Sequence, residues 1–144
     1  ERRKFIKVSC FSAIGVPFGA SVLQSCGAIY YAPSTLENQR IAVLKSEFIE
    51  TKKSKLRQRD FVLLNIKELG FPICLYIVKG EFIASLLKCT HRGCELNVGG
   101  GIYSCPCHGS EFSTTGQVLE GPADQNLKIY KTETDEKNIY IYLS

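Results

Sequence analysis

Four residues in two short stretches have the types and spacing of a metal site. Both histidines of the 144-residue chain fall there, His91 within CTHRGC and His108 within CPCHGS. Cys89-x-His91 and Cys105-x-x-His108 together offer two thiolates and two imidazoles. Such donors can hold a tetrahedral zinc ion. They can equally hold a two-iron, two-sulfide cluster, with the cysteines on one iron and the histidines on the other.

Two further cysteines in the same stretches favour the cluster over zinc. Cys94 and Cys107 each stand beside a candidate ligand, and a zinc site needs neither of them. A covalent bridge between the two loops would fix their separation, and a disulfide suits an exported protein in an oxidising compartment. Gly93 and Gly109 are adjacent to these residues. Glycine permits positive φ and close backbone approach, so backbone N–H groups there can point at sulfur atoms.

The two stretches resemble the signature of the Rieske iron–sulfur family, C-T-H-x-G-C followed by C-P-C-H-G-S. The downstream segment GSEFSTTGQVLEGPA resembles the rest of that family's cluster region. The resemblance implies one [2Fe-2S] cluster, with Cys89 and Cys105 as ligands of the buried iron. It implies His91 and His108 as ligands of the outer iron, where an electron and a proton are exchanged together.

The resemblance also gives roles to residues around the ligands. It implies a disulfide between Cys94 and Cys107. It implies that Ser110 donates its hydroxyl to a bridging sulfide, which stabilises the reduced cluster and raises its potential. The Gly-Pro stretch at Pro122 would form a third wall around the cluster.

The sequence departs from the family pattern at three points. High-potential members carry a tyrosine two residues after the serine, but this chain has Phe112, so we expect an intermediate potential suited to menaquinol. Asp124 stands where many members have a second proline, which predicts a looser third wall. Only ten residues separate Cys94 from Cys105, fewer than in many respiratory members. The docking surface of mitochondrial members is therefore a poor guide to the docking surface of this chain.

The N-terminal residues 1–31 have the pattern of a targeting or anchoring segment. RRKFIK resembles a twin-arginine export signal, and the following 24 residues, Val8 to Tyr31, carry no charge. About 20 residues suffice to cross a bilayer as a helix. The preceding positive charges predict a cytoplasmic N-terminus and a cluster domain on the periplasmic face of the inner membrane. The alternative is a lipid anchor on Cys26, at the end of the lipobox-like VLQSC.

The remaining sequence predicts a small all-β domain. Residues 32–45 begin with proline and serine and turn polar, which favours a flexible tether, and residues 46–144 then form the Rieske domain. Apolar, β-branched runs predict strands at FVLLNI, ICLYIV and FIASLLK. The last two flank Lys79-Gly80-Glu81, which predicts a hairpin turn, and LKIYKTE and NIYIYLS predict a second hairpin. We therefore expect an antiparallel sandwich or barrel that carries the two cluster loops, plus one transmembrane helix.

Several other residues have plainer interpretations. The basic run TKKSKLRQRD (51–60) favours a solvated loop or edge over a docking patch. Cys74 lies in an apolar strand pattern and is interpreted as a buried structural thiol. Glu111 follows the second loop and is interpreted as a solvated carboxylate rather than a proton acceptor. The chain carries a net charge of +4 without a basic stripe interleaved with aromatics, which gives no case for nucleic acid.

These features favour the Rieske subunit of a membrane quinol:cytochrome c oxidoreductase, of the cytochrome bc or bf kind. The implied partners are a cytochrome b-type subunit, a c-type cytochrome and quinol, within a multi-subunit complex and without independent turnover by this chain. The alternative is the small Rieske subunit of arsenite oxidase, which relays electrons from a molybdenum subunit. A ferredoxin or oxygenase component of ring-hydroxylating systems fits less well, because those members usually lack the disulfide pair.

Overall fold

The computed structural model describes residues 29–143, which form an almost entirely β structure. The strands, in chain order, are β1 (Thr35–Glu37), β2 (Arg40–Leu44), β3 (Ile49–Lys52), β4 (Lys55–Gln58), β5 (Phe61–Leu64), β6 (Ile73–Val78), β7 (Glu81–Leu86), β8 (Asn97–Gly99), β9 (Ile102–Ser104), β10 (Glu111–Ser113), β11 (Val118–Glu120), β12 (Ile129–Thr134) and β13 (Asn138–Tyr142). Short 3₁₀ helices span Lys45–Phe48 and Lys67–Leu69. The predicted all-β class is confirmed.

Three antiparallel sheets organise these strands. The largest has the order β1-β2-β13-β12-β7-β6-β5, the second has the order β11-β10-β9-β8, and β3 and β4 form a separate hairpin. The turn predicted at Lys79-Gly80-Glu81 joins β6 to β7, with Glu81 as the first residue of β7, and the predicted C-terminal hairpin is β12–β13. Both were signalled locally, by alternating apolar residues on either side of a short turn.

Alternate residues of β5 and β6 face two different hydrophobic cores, because successive strand side chains point to opposite faces of a sheet. Val62 and Leu75 belong to the core of the large sheet. Leu63 and Cys74 belong to the second core, which lies under the four-stranded sheet. Cys74 is fully buried, as predicted. The two strands therefore form the base on which the cluster loops are mounted.

The prediction of a flexible tether over residues 32–45 is wrong for most of its length. β2 pairs with β13 over five residues, and Ile41 and Val43 are buried in the main core. Ala32 is also buried, and its N–H donates to the carbonyl of Leu63 at 2.8 Å. The folded domain therefore begins before residue 46. Alternating apolar residues in RIAVL outweigh the polar composition around them once β13 supplies a partner strand.

The predicted N-terminal anchor lies outside the described residues, except for its last three positions. Between residues 29 and 143, no helix has both the length and the hydrophobicity needed to cross a membrane.

Candidate metal centre

Two six-residue loops with the same backbone hydrogen bonds form the site. In loop 1 (89–94), the N–H of Cys89 donates to the Cys94 carbonyl, and the N–H of Gly93 donates back to the Cys89 carbonyl, both at 2.8 Å. Loop 2 (105–110) repeats the pattern, with Cys105 N–H to Ser110 carbonyl at 2.8 Å and Gly109 N–H to Cys105 carbonyl at 3.0 Å. The fifth position of each loop is a glycine at positive φ, +76° for Gly93 and +80° for Gly109. Only glycine adopts this conformation without strain.

A disulfide between Cys94 and Cys107 joins the two loops, as the resemblance implied. Their Cα atoms are 6.6 Å apart. The Sγ atom of Cys105 lies close to this bridge, since the three sulfurs are within 4.8 Å of one another. The sulfurs of a disulfide are not thiolates, so among these three cysteines only Cys105 can supply a thiolate to a metal.

The two remaining loop cysteines are free and buried. Cys89 is 2% exposed and Cys105 is 3% exposed. Burial acts to raise the pKa of Cys105, but hydrogen bonds from the Cys107 N–H, the Cys89 thiol and the His108 N–H together hold it below its usual value. The site therefore favours a thiolate at Cys105, which is the form that binds metal.

The two histidines lie beside each other at the outer side of these thiols. Their ring centroids are 4.9 Å apart, with the planes at 86°. His91 is half-buried and His108 is exposed. The Nδ1 atom of His91 is buried without a hydrogen-bond partner. A buried polar atom normally has a partner, so this nitrogen is available for a metal.

A third segment, residues 121–127, closes the site, and four hydrogen bonds hold it. The N–H of Ala123 donates to the Oγ of the fully buried Ser110 at 3.0 Å. The Oγ1 of Thr90 donates to the Gln125 carbonyl at 2.7 Å. Asn126 Oδ1 and Gly116 O accept the backbone N–H groups of Val118 and Leu127. These bonds connect the segment to both loops and to β11. The looser wall expected from Asp124 stays a prediction.

A packed core supports the loops from behind. Phe112 and Tyr103 are cross-strand partners in β10 and β9, and both are fully buried. The hydroxyl of Tyr103 donates to Ser85 Oγ at 3.3 Å, which links the four-stranded sheet to β7. Burial raises the pKa of the Cys74 thiol to about 12, so this cysteine is unreactive.

Comparison with known proteins decides the family. The family model of the Rieske [2Fe-2S] domain matches residues 41–131. The chain belongs to this family. Its cofactor is a Rieske [2Fe-2S] cluster, and the donors present fit that group: two buried thiols, one of them favoured as thiolate, and an adjacent imidazole pair with a buried nitrogen that lacks a partner.

Individual relatives agree with the family assignment. The chain is 42% identical over 53 residues to the cytochrome b6-f complex iron-sulfur subunit of Synechococcus sp. (strain JA-2-3B'a(2-13)), covering 35% of this chain and 31% of that protein. It is 38% identical over 77 residues to the same subunit of Synechococcus sp. (strain WH7803), covering 50% and 43%. The matches therefore span less than half the length of these relatives.

A solved structure is similar to more than half of the chain. The cyanobacterial plasma membrane Rieske protein PetC3 from Synechocystis PCC 6803 superposes with a TM-score of 0.50 at 35% identity. The superposition covers 57% of this chain and 85% of that one.

The motif located the loops of this Rieske domain, but two positioning groups were not foreseen. Thr90 ties loop 1 to a carbonyl 35 residues later, and the Ala123 N–H fixes the Ser110 hydroxyl. The CTH triplet contains Thr90, so its hydroxyl was visible in the sequence, but its acceptor was not.

Proposed function

We propose that this chain is the electron-transfer Rieske subunit of a membrane quinol:cytochrome c oxidoreductase of the cytochrome bc or bf kind. The observation that carries the proposal is the pair of imidazoles side by side at the outer side of the site, one half-buried and one exposed. Such a pair can meet a diffusing quinol and then a second redox partner at one surface. The relatives named as cytochrome b6-f iron-sulfur subunits support this reading.

The proposed ligands are the four residues singled out from the motif. Cys89 and Cys105 supply thiolates to the buried iron, and His91 and His108 supply imidazoles to the outer iron. When bound, the cluster takes up and releases one electron at a potential well above that of all-cysteine ferredoxins. For His91, the buried Nδ1 is the proposed ligating atom, which leaves Nε2 to hold the exchangeable proton.

The surrounding residues keep this ligand set in place and exclude water from its inner side. The Cys94–Cys107 disulfide and the glycines at positions 93 and 109 fix the loops, and Pro122 belongs to the closing segment. Ser110 is proposed to direct its hydroxyl proton at a sulfide. Phe112 offers no hydroxyl, so we propose an intermediate potential that suits menaquinol, the stronger reductant, as the electron source.

Purification from membranes in mild detergent tests the proposal. We expect a cytochrome b to co-purify and the preparation to reduce a c-type cytochrome with quinol. A molybdenum subunit as the partner would instead identify an arsenite oxidase type of relay, and the proposal would be wrong.

The ligand set is tested separately by spectroscopy. His108→Ala should abolish the Rieske electron paramagnetic resonance signal, whereas Glu111→Gln, three residues away, should retain it. Iron and inorganic sulfide should be present in the wild-type protein. Zinc in their place, or a signal that survives in His108→Ala, would refute the ligand assignment.

A further inference from the structure

Lys88 places its side chain beside loop 1. It is exposed, whereas its neighbours Leu87 and Cys89 are buried, because successive side chains of an extended segment point to opposite sides. A Cβ atom added to Gly93 would lie 3.3 Å from the Cε atom of Lys88, so the lysine stem passes over that glycine. The ammonium nitrogen is bonded to Cε, so the positive charge lies close to the ligand loop.

An aromatic ring holds this charge in position. The Nζ atom of Lys88 lies 5.3 Å from the ring centroid of Phe71, within the range of a cation–π contact. Phe71 is half-buried, and the carbonyl of the adjacent Pro72 accepts the N–H of Leu87 at 2.9 Å. The ring is therefore attached to the segment that leads into loop 1. Contacts at both Cε and Nζ keep the charge near the loop instead of in bulk solvent.

Two other charged residues lie near Lys88. Glu95 is its partner in an isolated β-bridge and is exposed, but the two side chains do not approach within the 4.0 Å of an ion pair. Arg92 is a second cation, within loop 1 itself, and is also exposed. Unlike Lys88, it makes no cation–π contact or ion pair within residues 29–143. Lys88 is therefore the cation of this region whose position is defined by contacts.

A positive charge in this place favours reduction of a cluster. Reduction adds one electron, so a nearby cation stabilises the reduced state more than the oxidised state. Loop 1 supplies two of the proposed ligands, Cys89 and His91, and Lys88 directly precedes the first of them. The effect of this charge on the potential is opposite in sign to the effect proposed for Phe112, which lacks a hydroxyl donor.

We propose that Lys88 raises the reduction potential of the cluster through its charge and so determines in part which quinols can reduce it. The ammonium group acts through space and is not a ligand. A chain without this cation is a weaker oxidant, and its electron donors are restricted to more strongly reducing quinols. The inference rests on the ligand set and the quinol donor proposed above.

Redox titration of the purified full chain, followed by paramagnetic resonance, tests the proposal. Lys88→Met removes the charge but keeps an unbranched stem over Gly93. The equilibrium constant for reduction should fall by roughly two- to threefold, as expected for a solvent-exposed charge, which is about 20–30 mV at about 59 mV per tenfold change. Lys79→Met is the matched control, because Lys79 lies at the other end of β7, about 20 Å away at about 3.3 Å per residue. It should keep the wild-type potential.

A series of charges at the same position separates electrostatics from packing. Lys88→Glu should lower the potential about twice as far as Lys88→Met, because the charge changes by two units instead of one. Lys88→Arg keeps the charge and should keep the potential. Glu95→Gln removes a negative charge from the bridge partner and should raise the potential. Added salt should reduce the difference between the wild type and Lys88→Met, because exposed charges are screened.

The outcomes separate this inference from the proposed function. The paramagnetic resonance signal reports the cluster and its ligands, whereas the midpoint of the titration reports the charge. If Lys88→Met and Lys88→Glu keep the signal and titrate like the wild type, only the role of Lys88 is refuted. If Lys88→Arg lowers the potential as far as Lys88→Met, the effect comes from packing, and that role is also refuted. A wild-type chain without the signal refutes the ligand set, and this inference with it.

Discussion

The Oγ atom of Ser110 accepts a hydrogen bond from the backbone N–H of Ala123 at 3.0 Å, within a buried pair. A hydroxyl that accepts one bond still has its own proton to donate. The bond from Ala123 therefore leaves the hydroxyl proton of Ser110 free to donate to another acceptor. This contact connects the second ligand loop to the Gly-Pro-Ala segment more directly than the motif alone indicates.

Ser110→Ala should lower the redox potential of the cluster. A hydrogen bond to a charged acceptor contributes about 1.5–3 kcal/mol, so the potential should fall by up to about 130 mV at about 59 mV per tenfold change. Redox titration followed by paramagnetic resonance measures the shift. Ser113→Ala, at the other end of β10, is the control and should keep the wild-type potential. An unchanged potential in Ser110→Ala would exclude the proposed donation to a sulfide.

Phe112→Tyr should raise the potential, because it restores the hydroxyl donor that high-potential relatives carry. Phe112 is fully buried opposite Tyr103, so the added oxygen should also cost about 1–3 kcal/mol of folding stability. Phe82→Tyr, which changes a ring packed on Phe48 in the other core, is the matched control. The same titration applies. If both variants titrate like the wild type, Phe112 does not set the potential.

The sequence predicted those parts of the fold whose signals are local. The cluster loops follow from cysteine, histidine and glycine spacing within six residues, and the Lys79-Gly80 hairpin follows from alternation around a turn. Strand β2 was missed because its partner is β13, at the other end of the chain. Without that pairing, Ile41 and Val43 are two apolar residues in a polar stretch.

The same distinction applies within the site. Both loop glycines and the two free cysteines of the loops, Cys89 and Cys105, were recognisable from the motif. The bonds from Thr90 to Gln125 and from Ala123 to Ser110 depend on how a distant segment returns to the loops. A backbone N–H or carbonyl partner has no side-chain signature, so such contacts emerge only from the three-dimensional structure.

Loss of the Cys94–Cys107 disulfide should destabilise the domain. The bridge spans a sequence separation of 13 residues, and closure of a loop of this length stabilises a fold by roughly 3 kcal/mol through the unfolded chain. The double variant Cys94→Ser/Cys107→Ser should lose about that much unfolding free energy in denaturant titrations. Addition of a reductant should destabilise the wild type similarly and leave the variant unchanged. If the reductant lowered the unfolding free energy of both proteins equally, the loss in the wild type would not come from this disulfide.

Asp135 should make the β12–β13 turn sensitive to acid. Hydrogen bonds from the Asn138 N–H, the Tyr140 hydroxyl and the Lys137 N–H hold the pKa of this carboxyl well below its usual value. Because the folded pKa is depressed, the stabilisation is complete above the unfolded pKa of about 4 and is lost as the pH falls toward the folded value.

Asp135→Asn removes this titration while it keeps one acceptor oxygen in the turn. The melting temperature of the wild type should exceed that of Asp135→Asn by a constant amount from about pH 7 down to about pH 5, and the gap should narrow below about pH 4. Glu136→Gln, the next residue along the same exposed turn, is the control. The gap is measured between two proteins with the same site, so any acid effect on the cluster cancels. A gap that widens as the pH falls would contradict the sign of the pKa shift, and therefore the hydrogen bonds that cause it.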